Sequence, residues 1–159
     1  MLLQNDGKGR FTDVGRSAGP YFKTKRSGRG LAILDYDNDG DVDVLISHVD
    51  LEAAPALLRN DGSTGNHWLG VTLTGKNGLT SGLGAFVKVS AGGREQVVVN
   101  QWSTGYLSNS DPRIHLGLGK SSRIERLEVT WPDGSIQAFE NLATDRYITI
   151  DKEKGLVTK

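Results

Sequence analysis

Apolar and polar residues alternate along the C-terminal part of the chain with a period of two, which is typical of β-strands with one buried face. In the first such segment, Leu69, Val71 and Leu73 share one face. Turn residues separate the segments at fairly regular spacing. About seven strands are predicted: HWLGVTLTG, GAFVKVSA, REQVVVN, RIHLGLG, RIERLEVTW, SIQAF and RYITI. We therefore predict an all-β protein with a β-sandwich or barrel-like domain over 65–152 and a frayed tail at 153–159.

Shorter apolar segments in the N-terminal part also predict strands. FTDV, LAIL, VDVLIS and ALL are rich in apolar or β-branched residues, and Asn5–Gly7 predict a hairpin turn. The segment LLQNDGKG at 2–9 returns as LLRNDGSTG at 57–65, after 55 residues. Similarity at such spacing indicates a repeat architecture. We predict that residues 1–64 form a repeat region, with the domain boundary at 62–66.

Composition and charge exclude several classes of protein. The 19 basic and 19 acidic residues give a net charge of zero, so no overall field favours nucleic acid or an anionic membrane. The basic segment KTKRSGR at 23–29 is predicted to be a solvated loop rather than a site for an acidic partner. Without cysteine there are no disulfides or thiolates, and no apolar run reaches the roughly 18 residues of a membrane span. The N-terminus is not expected to be a signal peptide.

The segment DYDNDGDVD carries aspartates at alternate positions from Asp35 to Asp43. A straight strand would project all these carboxylates from one face without a partner, but Asn38, Asp39 and Gly40 form turns readily. Carboxylates at alternate positions converge once the chain curls, and calcium prefers several oxygen ligands. We predict a metal site in which Asp41 lends its backbone carbonyl and Asp43 the closing carboxylate. The predicted metal-binding residues are Asp35, Asp37, Asp39, Asp41 and Asp43.

The predicted cofactor is Ca²⁺. It is favoured over magnesium, which binds few protein carboxylates and keeps several waters. An EF-hand would need a glutamate at the twelfth loop position, where this chain has Ile46, and helices on both sides. We therefore predict a calcium loop that joins two antiparallel strands.

The motifs of both parts resemble known families. LLQNDGKGRFTDVGRSAG and GRGLAILDYDNDGDVDVLISH resemble the FG-GAP or VCBS repeat of integrin-type β-propellers, whose calcium loop has the D-x-D-x-D-G-x-x-D form seen at Asp35–Asp43. NHWLGVTLTGKNG, GLGAFVKVSAGG, IHLGLGK and EVTWPDG resemble the ASPIC and UnbV domain, which follows such repeats in the cartilage acidic protein family. Together these motifs cover nearly the whole chain.

The resemblance implies partial propeller-like blades with a calcium loop, and a noncatalytic role in adhesion or recognition. It also implies an extracellular or periplasmic location, but it names no protein or glycan partner. A propeller has typically about four to eight blades, whereas this chain holds part of one and about three strands of another. Either the chain is a truncation of a longer one, or the partial blades pack on the C-terminal domain or on another copy of the chain, as a homo-oligomer. Open strand edges favour the packed arrangements.

Two alternatives to this function stay open from the residues alone. Trp102 and Tyr106 lie in a polar, glycine-containing loop, NQWSTGYLSNSD, and would be the aromatic contacts of a carbohydrate-binding module. A hydrolase would use either Ser17 or the acidic cluster that includes Asp37. Ser17 in GRSAG matches the letters of a nucleophile elbow, although no strand is evident before it.

Other conspicuous residues are assigned structural roles. GLGKSS lacks the first glycine of a phosphate-binding loop, because Ile114 occupies that place. Trp68 and Trp131 are predicted to pack in the core. His115 lies on the face opposite Ile114 and Leu116 and is predicted to face solvent.

Overall fold

The computed structural model describes residues 1–50, 53–62, 64–75, 82–101 and 103–157, and these are mostly β-strands, which confirms the all-β prediction. The described ranges contain two short 3₁₀ helices, at Gly15–Ser17 and Pro20–Lys23, and no helix long and apolar enough to cross a membrane. The strands are β1 (Leu3–Asn5), β2 (Phe11–Asp13), β3 (Gly28–Leu34), β4 (Asp43–His48), β5 (Ala56–Leu58), β6 (His67–Thr74), β7 (Phe86–Ala91), β8 (Arg94–Val99), β9 (Ser103–Gly105), β10 (Ser108–Asn109), β11 (Ile114–Gly119), β12 (Arg123–Thr130), β13 (Ile136–Ala143), β14 (Arg146–Asp151) and β15 (Gly155–Val157).

Two four-stranded sheets make up most of the C-terminal part. Their strand orders are β11-β6-β14-β15 and β13-β12-β7-β8. Strands β6 and β14 are parallel, and the other neighbours are antiparallel. Neither sheet closes on itself, so the described strands do not form a barrel. Strands of both sheets contribute to one core, as in the predicted β-sandwich. Strand β6 begins at His67, directly after the predicted boundary at 62–66, and the division into two domains stays a prediction.

The core lies between these two sheets and is formed by alternate residues of their strands. On β6, Leu69 and Val71 are fully buried, and burial of each such side chain stabilises the fold by about 1.5–3 kcal/mol. Trp131 is buried as predicted, and its indole N–H donates to Gln137 Oε1 at 3.0 Å. The buried apolar residues are Leu69, Val71, Leu73, Ala85, Val87, Val89, Ala91, Ile114, Leu116, Leu118, Ile124, Leu127, Val129, Trp131, Ile148 and Ile150.

The N-terminal part forms a β1–β2 hairpin and an antiparallel sheet of order β3-β4-β5. The outer edge of β3 is covered by the segment that precedes β11. The backbone N–H of Leu31 donates to Ser108 Oγ at 3.0 Å, and that of Ile33 donates to Ser110 Oγ at 3.2 Å. The β3 edge therefore packs on the C-terminal part of the same chain, which is one of the two arrangements predicted for it.

The C-terminal tail differs from its prediction. Gly155–Val157 form β15 and pair with β14, so the prediction that the chain frays from residue 153 was wrong for these residues. The turn before β15 is held by Asp151, whose Oδ1 accepts the backbone N–H groups of Glu153 at 2.9 Å and Lys154 at 3.0 Å. Leu156 then packs against the core, which adds apolar burial to the strand pairing.

Candidate functional site

The acidic loop, residues 35–43, connects β3 to β4 and curls as the sequence predicts. Asn38 and Gly40 have positive φ angles of 62° and 95°, which reverse the direction of the chain. The backbone N–H groups of Asp39 and Gly40 donate to the Asp35 carboxylate at 3.2 and 2.9 Å. The Asp41 N–H donates to Asp39 Oδ1 at 2.8 Å. Aspartate side chains therefore organise the turn through bonds to its own backbone.

The two ends of the acidic loop are anchored by buried carboxylates. Asp35 and Asp43 are only 4% and 1% exposed. Asp43 Oδ2 accepts the Tyr36 N–H at 2.9 Å, and its Oδ1 accepts the Asn60 N–H at 2.7 Å. Because a buried carboxylate without such partners would be strongly unfavourable, these bonds fix the start of β4 against the segment after β5.

Three of the five predicted metal-binding residues converge. Carboxylate oxygens of Asp35, Asp37 and Asp39 lie within 4.8 Å of one another, and this is the only group of three or more potential ligands among the described residues. A carboxylate has about four acceptor positions. Asp35 uses three of them for hydrogen bonds, so it keeps the capacity to bind one further group. Asp41 and Asp43 lie outside this converged group.

Negative charge is concentrated in the acidic loop. Partial burial raises the pKa of Asp41 above its ordinary value, and repulsion from Asp39 and Asp35 raises it further. The nearest ion pair is weak, because Arg59 Nη1 lies 4.0 Å from Asp37 Oδ2 while the same guanidinium bonds Asp61 at 2.7 Å. Close like charges of this kind favour a bound cation electrostatically.

The acidic loop lies against the outer face of the β11-β6-β14-β15 sheet. Four residues of that face, Trp68, Gly70, His115 and Tyr147, point away from the core and are called the docking face here. The indole of Trp68 stacks on His115, with ring centroids 5.7 Å apart, and meets the Tyr147 ring edge-on at 5.0 Å. His115 Nε2 bonds the Gly40 carbonyl oxygen at 2.8 Å, which joins the loop to β11.

These contacts correct two predictions. His115 is half-buried beneath the acidic loop and does not face solvent, although it does lie opposite Ile114 and Leu116. Trp68 is half-buried between the sheet and the loop and does not belong to the core cluster. Both errors arise because a long-range contact covers the outward face of the strands.

Two glycines allow the acidic loop and the docking face to approach each other. A Cβ atom on Gly40 would lie 1.9 Å from Trp68 Nε1. A Cβ atom on Gly70 would lie 2.1 Å from the Tyr147 ring, which crosses β6 at that point. Neither distance is compatible with a side chain, so both positions require glycine in this packing.

Tyr147 and Arg113 hold Asp35 from the sandwich. The Tyr147 hydroxyl donates to Asp35 Oδ2, and burial together with this bond raises the pKa of the phenol. Arg113 Nη2 donates to the Asp35 carbonyl oxygen at 2.7 Å, and its guanidinium lies 4.2 Å from the centre of the Tyr147 ring. Arg113 is held in turn by Asp111. Burial alone would raise the pKa of Asp111, but the Arg113 bonds lower it below the ordinary value.

The sequence did not point to Tyr147 or Arg113 as parts of the site. Tyr147 is 112 residues from Asp35 along the chain and belongs to a strand whose inner residues dominate the pattern. Alternation with Ile148 predicts that Tyr147 faces outward. It does not predict the contact with the acidic loop, because that contact forms only when the N-terminal part packs on the sheet that contains β14.

Of the residues named for the alternative functions outside the acidic loop, the structure describes two, Tyr106 and Ser17. Trp102 lies outside the described residues, and Tyr106 is 68% exposed, with the Arg29 guanidinium 5.1 Å from its ring centre. Ser17 Oγ donates to the Val14 carbonyl oxygen at 2.9 Å. Within the described ranges no hydrogen bond joins Ser17 to a histidine, as an activated serine nucleophile would need.

Comparison with known proteins finds one matching family and several relatives. Residues 74–157 match the family described as ASPIC and UnbV. The chain is 34% identical over 110 residues to Cartilage acidic protein 1 of Xenopus tropicalis and 31% identical over 110 residues to that of Homo sapiens. These alignments cover 69% of this chain but only 17% and 16% of the relatives. The chain therefore spans a small part of the length of the proteins that it matches.

Proposed function

The chain belongs to the ASPIC and UnbV family, and from this premise we propose that it is a noncatalytic, calcium-binding β module of a secreted protein. Its role would be adhesion or recognition outside the cell, or in the periplasm. The similarity to proteins named Cartilage acidic protein 1 supports this setting, because cartilage is an extracellular tissue matrix. The observation that carries the calcium part is the convergence of Asp35, Asp37 and Asp39.

The donor set fits a hard cation. Asp35, Asp37 and Asp39 offer carboxylate oxygens within 4.8 Å of one another. Burial and then the neighbouring carboxylates raise the pKa of Asp41, which shows that like charges lie close together in the loop. Calcium takes six to eight oxygen ligands at about 2.3–2.6 Å and would offset this repulsion. In the proposal the Asp41 backbone carbonyl and Asp43 complete the site, as predicted from the sequence, and water supplies further oxygens.

Calcium binding would be coupled to the stability of the sandwich. Asp35 is at once a proposed ligand and the acceptor of bonds from Tyr147 and Arg113 of the C-terminal part. A ligand that binds only the folded chain stabilises it by about 2.7 kcal/mol at a hundredfold excess over Kd. The proposed role of the ion is therefore structural, because it holds the curled loop in the shape that fits the docking face.

The N-terminal part is proposed to be an FG-GAP or VCBS repeat that ends at the family domain. Two observations support this. The segment at 2–9 returns at 57–65; the first copy contains β1, and the second begins within β5. The acidic loop also joins adjacent antiparallel strands, as predicted from the residues on either side of it. Blades of a complete propeller would have to come from outside this chain.

A noncatalytic role is supported by the way the histidines are used. His48 bonds Tyr21 and the Ala54 carbonyl, and His67 bonds Asp145 at 2.6 Å. The third, His115, bonds the Gly40 carbonyl. All three therefore make contacts that position backbone or neighbouring side chains.

Isothermal titration with calcium tests the proposed site. The wild-type chain should give saturable heat, and Asp39→Ala should abolish it, because Asp39 is one of the three converging carboxylates. Asp50→Ala is the matched control, since Asp50 is an exposed aspartate outside the acidic loop and should leave the heat unchanged. Terbium gives an independent readout, because Tyr36 belongs to the loop and Trp68 lies against it at Gly40, and both would sensitise its emission.

The outcomes separate a site from general attraction to negative charge. Heat and terbium emission that Asp39→Ala removes and Asp50→Ala retains would support the proposal. Equal binding by both variants, or no binding by the wild type, would refute it. Magnesium titrated in parallel should bind more weakly, because it keeps more of its waters.

A further inference from the structure

Positive charge is concentrated at the N-terminal end of the chain despite a net charge of zero. Residues 1–30 contain seven basic and two acidic residues, a net charge of +5, whereas the remaining residues contain twelve basic and seventeen acidic ones, a net charge of −5. Four of the seven cations lie close together between Lys23 and Arg29, called the basic segment here. This asymmetry indicates a local field that the overall charge conceals.

The cations of the basic segment are exposed, and none of them pairs with an acidic side chain among the described residues. Lys23, Lys25, Arg26 and Arg29 are all solvent-exposed. Within the described part of the chain, no ion pair includes any of the four. Within the basic segment, the backbone N–H of Ser27 donates to Asp50 Oδ2 at 3.3 Å. Their charges are therefore available to an external anion.

The fold brings an exposed aromatic residue to the end of the basic segment. Arg29 Nη2 donates to the Tyr106 hydroxyl at 3.3 Å, although the two residues are 77 apart in sequence. Its guanidinium also lies 5.1 Å from the centre of the Tyr106 ring. A cleft of about 220 Å³ adjoins this pair and is lined by Leu31, Ile33 and Ser108 among others. A basic strip thus ends at an aromatic ring beside a cleft.

We propose that the basic segment and Tyr106 bind a linear sulfated polysaccharide. This inference concerns a surface separate from the acidic loop, and it relies on the proposed function only for the extracellular setting. Arginine recognises an oxyanion such as sulfate through its planar fork, and lysine does so as a point charge. An exposed aromatic ring offers an apolar surface with a polar tip, which suits a sugar.

The shape of the basic segment favours a linear polyanion. Thr24 has extended backbone angles, φ −104° and ψ 132°, and β3 continues from Gly28. Lys23 ends the second 3₁₀ helix, and Lys25 and Arg26 lie in the segment that leads from it into β3, where Arg29 stands. Several exposed cations on successive parts of one short segment suit the repeated sulfates of a polysaccharide better than a single small anion.

The same residues do not favour a membrane or a nucleic acid. A polybasic segment alone attaches reversibly to an anionic membrane, and stable attachment needs a second, inserting element. The residues between the cations are threonine, serine and glycine, which offer no apolar side chain to insert. Single-stranded nucleic acid binds through aromatic rings on which bases stack. The Tyr106 ring at the end of the basic segment, with Arg29 on one face, offers room for a single base or sugar and not for a run of successive bases.

Heparin affinity chromatography of the full chain tests the proposal. The wild type should be retained at physiological salt, whereas Lys25→Ser/Arg26→Ser should elute at lower salt, with about a tenfold weaker Kd by calorimetry. Loss of two ionic contacts should also reduce the slope of log K against log salt by about two, by analogy with counterion release from nucleic acids. Arg94→Ser/Arg123→Ser removes two exposed cations of the sandwich and is the matched control.

Competitors and buffers identify the chemical source of binding. Desulfated heparin and the carboxylated chain hyaluronan should compete poorly, and Tyr106→Ala should weaken heparin binding while circular dichroism stays native. Retention on heparin should be the same in a buffer with EDTA and in one with calcium. The test therefore stands even if the chain does not bind calcium. Absence of retention would overturn the inference. So would equal effects of the two double variants, or equally tight binding to phosphatidylserine vesicles or a DNA oligonucleotide.

Discussion

Substitution of Gly40 by alanine should destabilise the chain because the acidic loop packs tightly on the docking face. Gly40 is buried and has φ +95°, and a Cβ atom there would lie 1.9 Å from Trp68 Nε1 and 2.1 Å from Trp68 Cε2. The indole cannot move aside easily, because it stacks on His115 and contacts the edge of Tyr147. The new methyl group therefore forces the loop away from the sheet.

Two physical effects contribute to the expected loss. Placing an L-residue in the left-handed backbone region costs about 1–2 kcal/mol. Overpacking a well-packed contact costs typically about 1–3 kcal/mol. Gly40→Ala should therefore lower the free energy of unfolding by about 2–5 kcal/mol.

Gly93 separates these two effects. It also has a positive φ, +72°, but no atom lies within 4 Å of its ideal Cβ position. Gly93→Ala should consequently show only the backbone effect, about 1–2 kcal/mol. In a Trp68→Ala background, where the indole is gone, Gly40→Ala should fall to the same value.

Urea unfolding followed by far-UV circular dichroism measures these differences. The titrations should be made in EDTA, so that calcium does not add to the stability of any variant. If Gly40→Ala and Gly93→Ala lose equal stability in the wild-type background, close packing against Trp68 does not contribute. If Gly40→Ala costs as much after removal of the indole as before, the steric part of the reasoning is wrong.

Two further predictions concern the contacts beneath the acidic loop. Tyr147→Phe removes the hydroxyl that donates to buried Asp35 and should reduce stability by about 1–3 kcal/mol in urea titrations. Asp111→Asn should flatten the dependence of stability on pH in acid. Because bonds from Arg113 lower the folded pKa of Asp111 below its ordinary 3.8, its contribution is present above that pH and is lost as the pH falls further.

Each of these two predictions has a control. Tyr106→Phe removes a hydroxyl from an exposed ring and should change stability by less than about 0.5 kcal/mol, so an equal loss from both tyrosine variants would contradict a role for the Asp35 bond. Glu153→Gln removes an exposed carboxyl from the β14–β15 turn. Stability in acid should depend less steeply on pH in Asp111→Asn than in Glu153→Gln. If the two variants show equal slopes, the bonds from Arg113 do not contribute to the pH dependence of stability.

Strand positions were predictable because they depend on local alternation. Leu69, Val71 and Leu73 follow a period of two, and β6 buries all three. The turn of the acidic loop was predictable for a similar reason, since Asn38 and Gly40 adopt positive φ readily. Strand β15 was missed because its three residues follow a charged turn and pair with β14, a contact that their own sequence does not encode.

The amino-acid sequence by itself determined most of the strands, most of the core residues and the curl of the acidic loop, because each of these follows from interactions between near neighbours. Only the tertiary structure decided what covers the outward faces. It placed Trp68, His115 and Tyr147 against the acidic loop, and Arg29 against Tyr106. The physical reason is that alternation shows which face a side chain takes, whereas its neighbour on that face depends on how separate sheets and loops pack together.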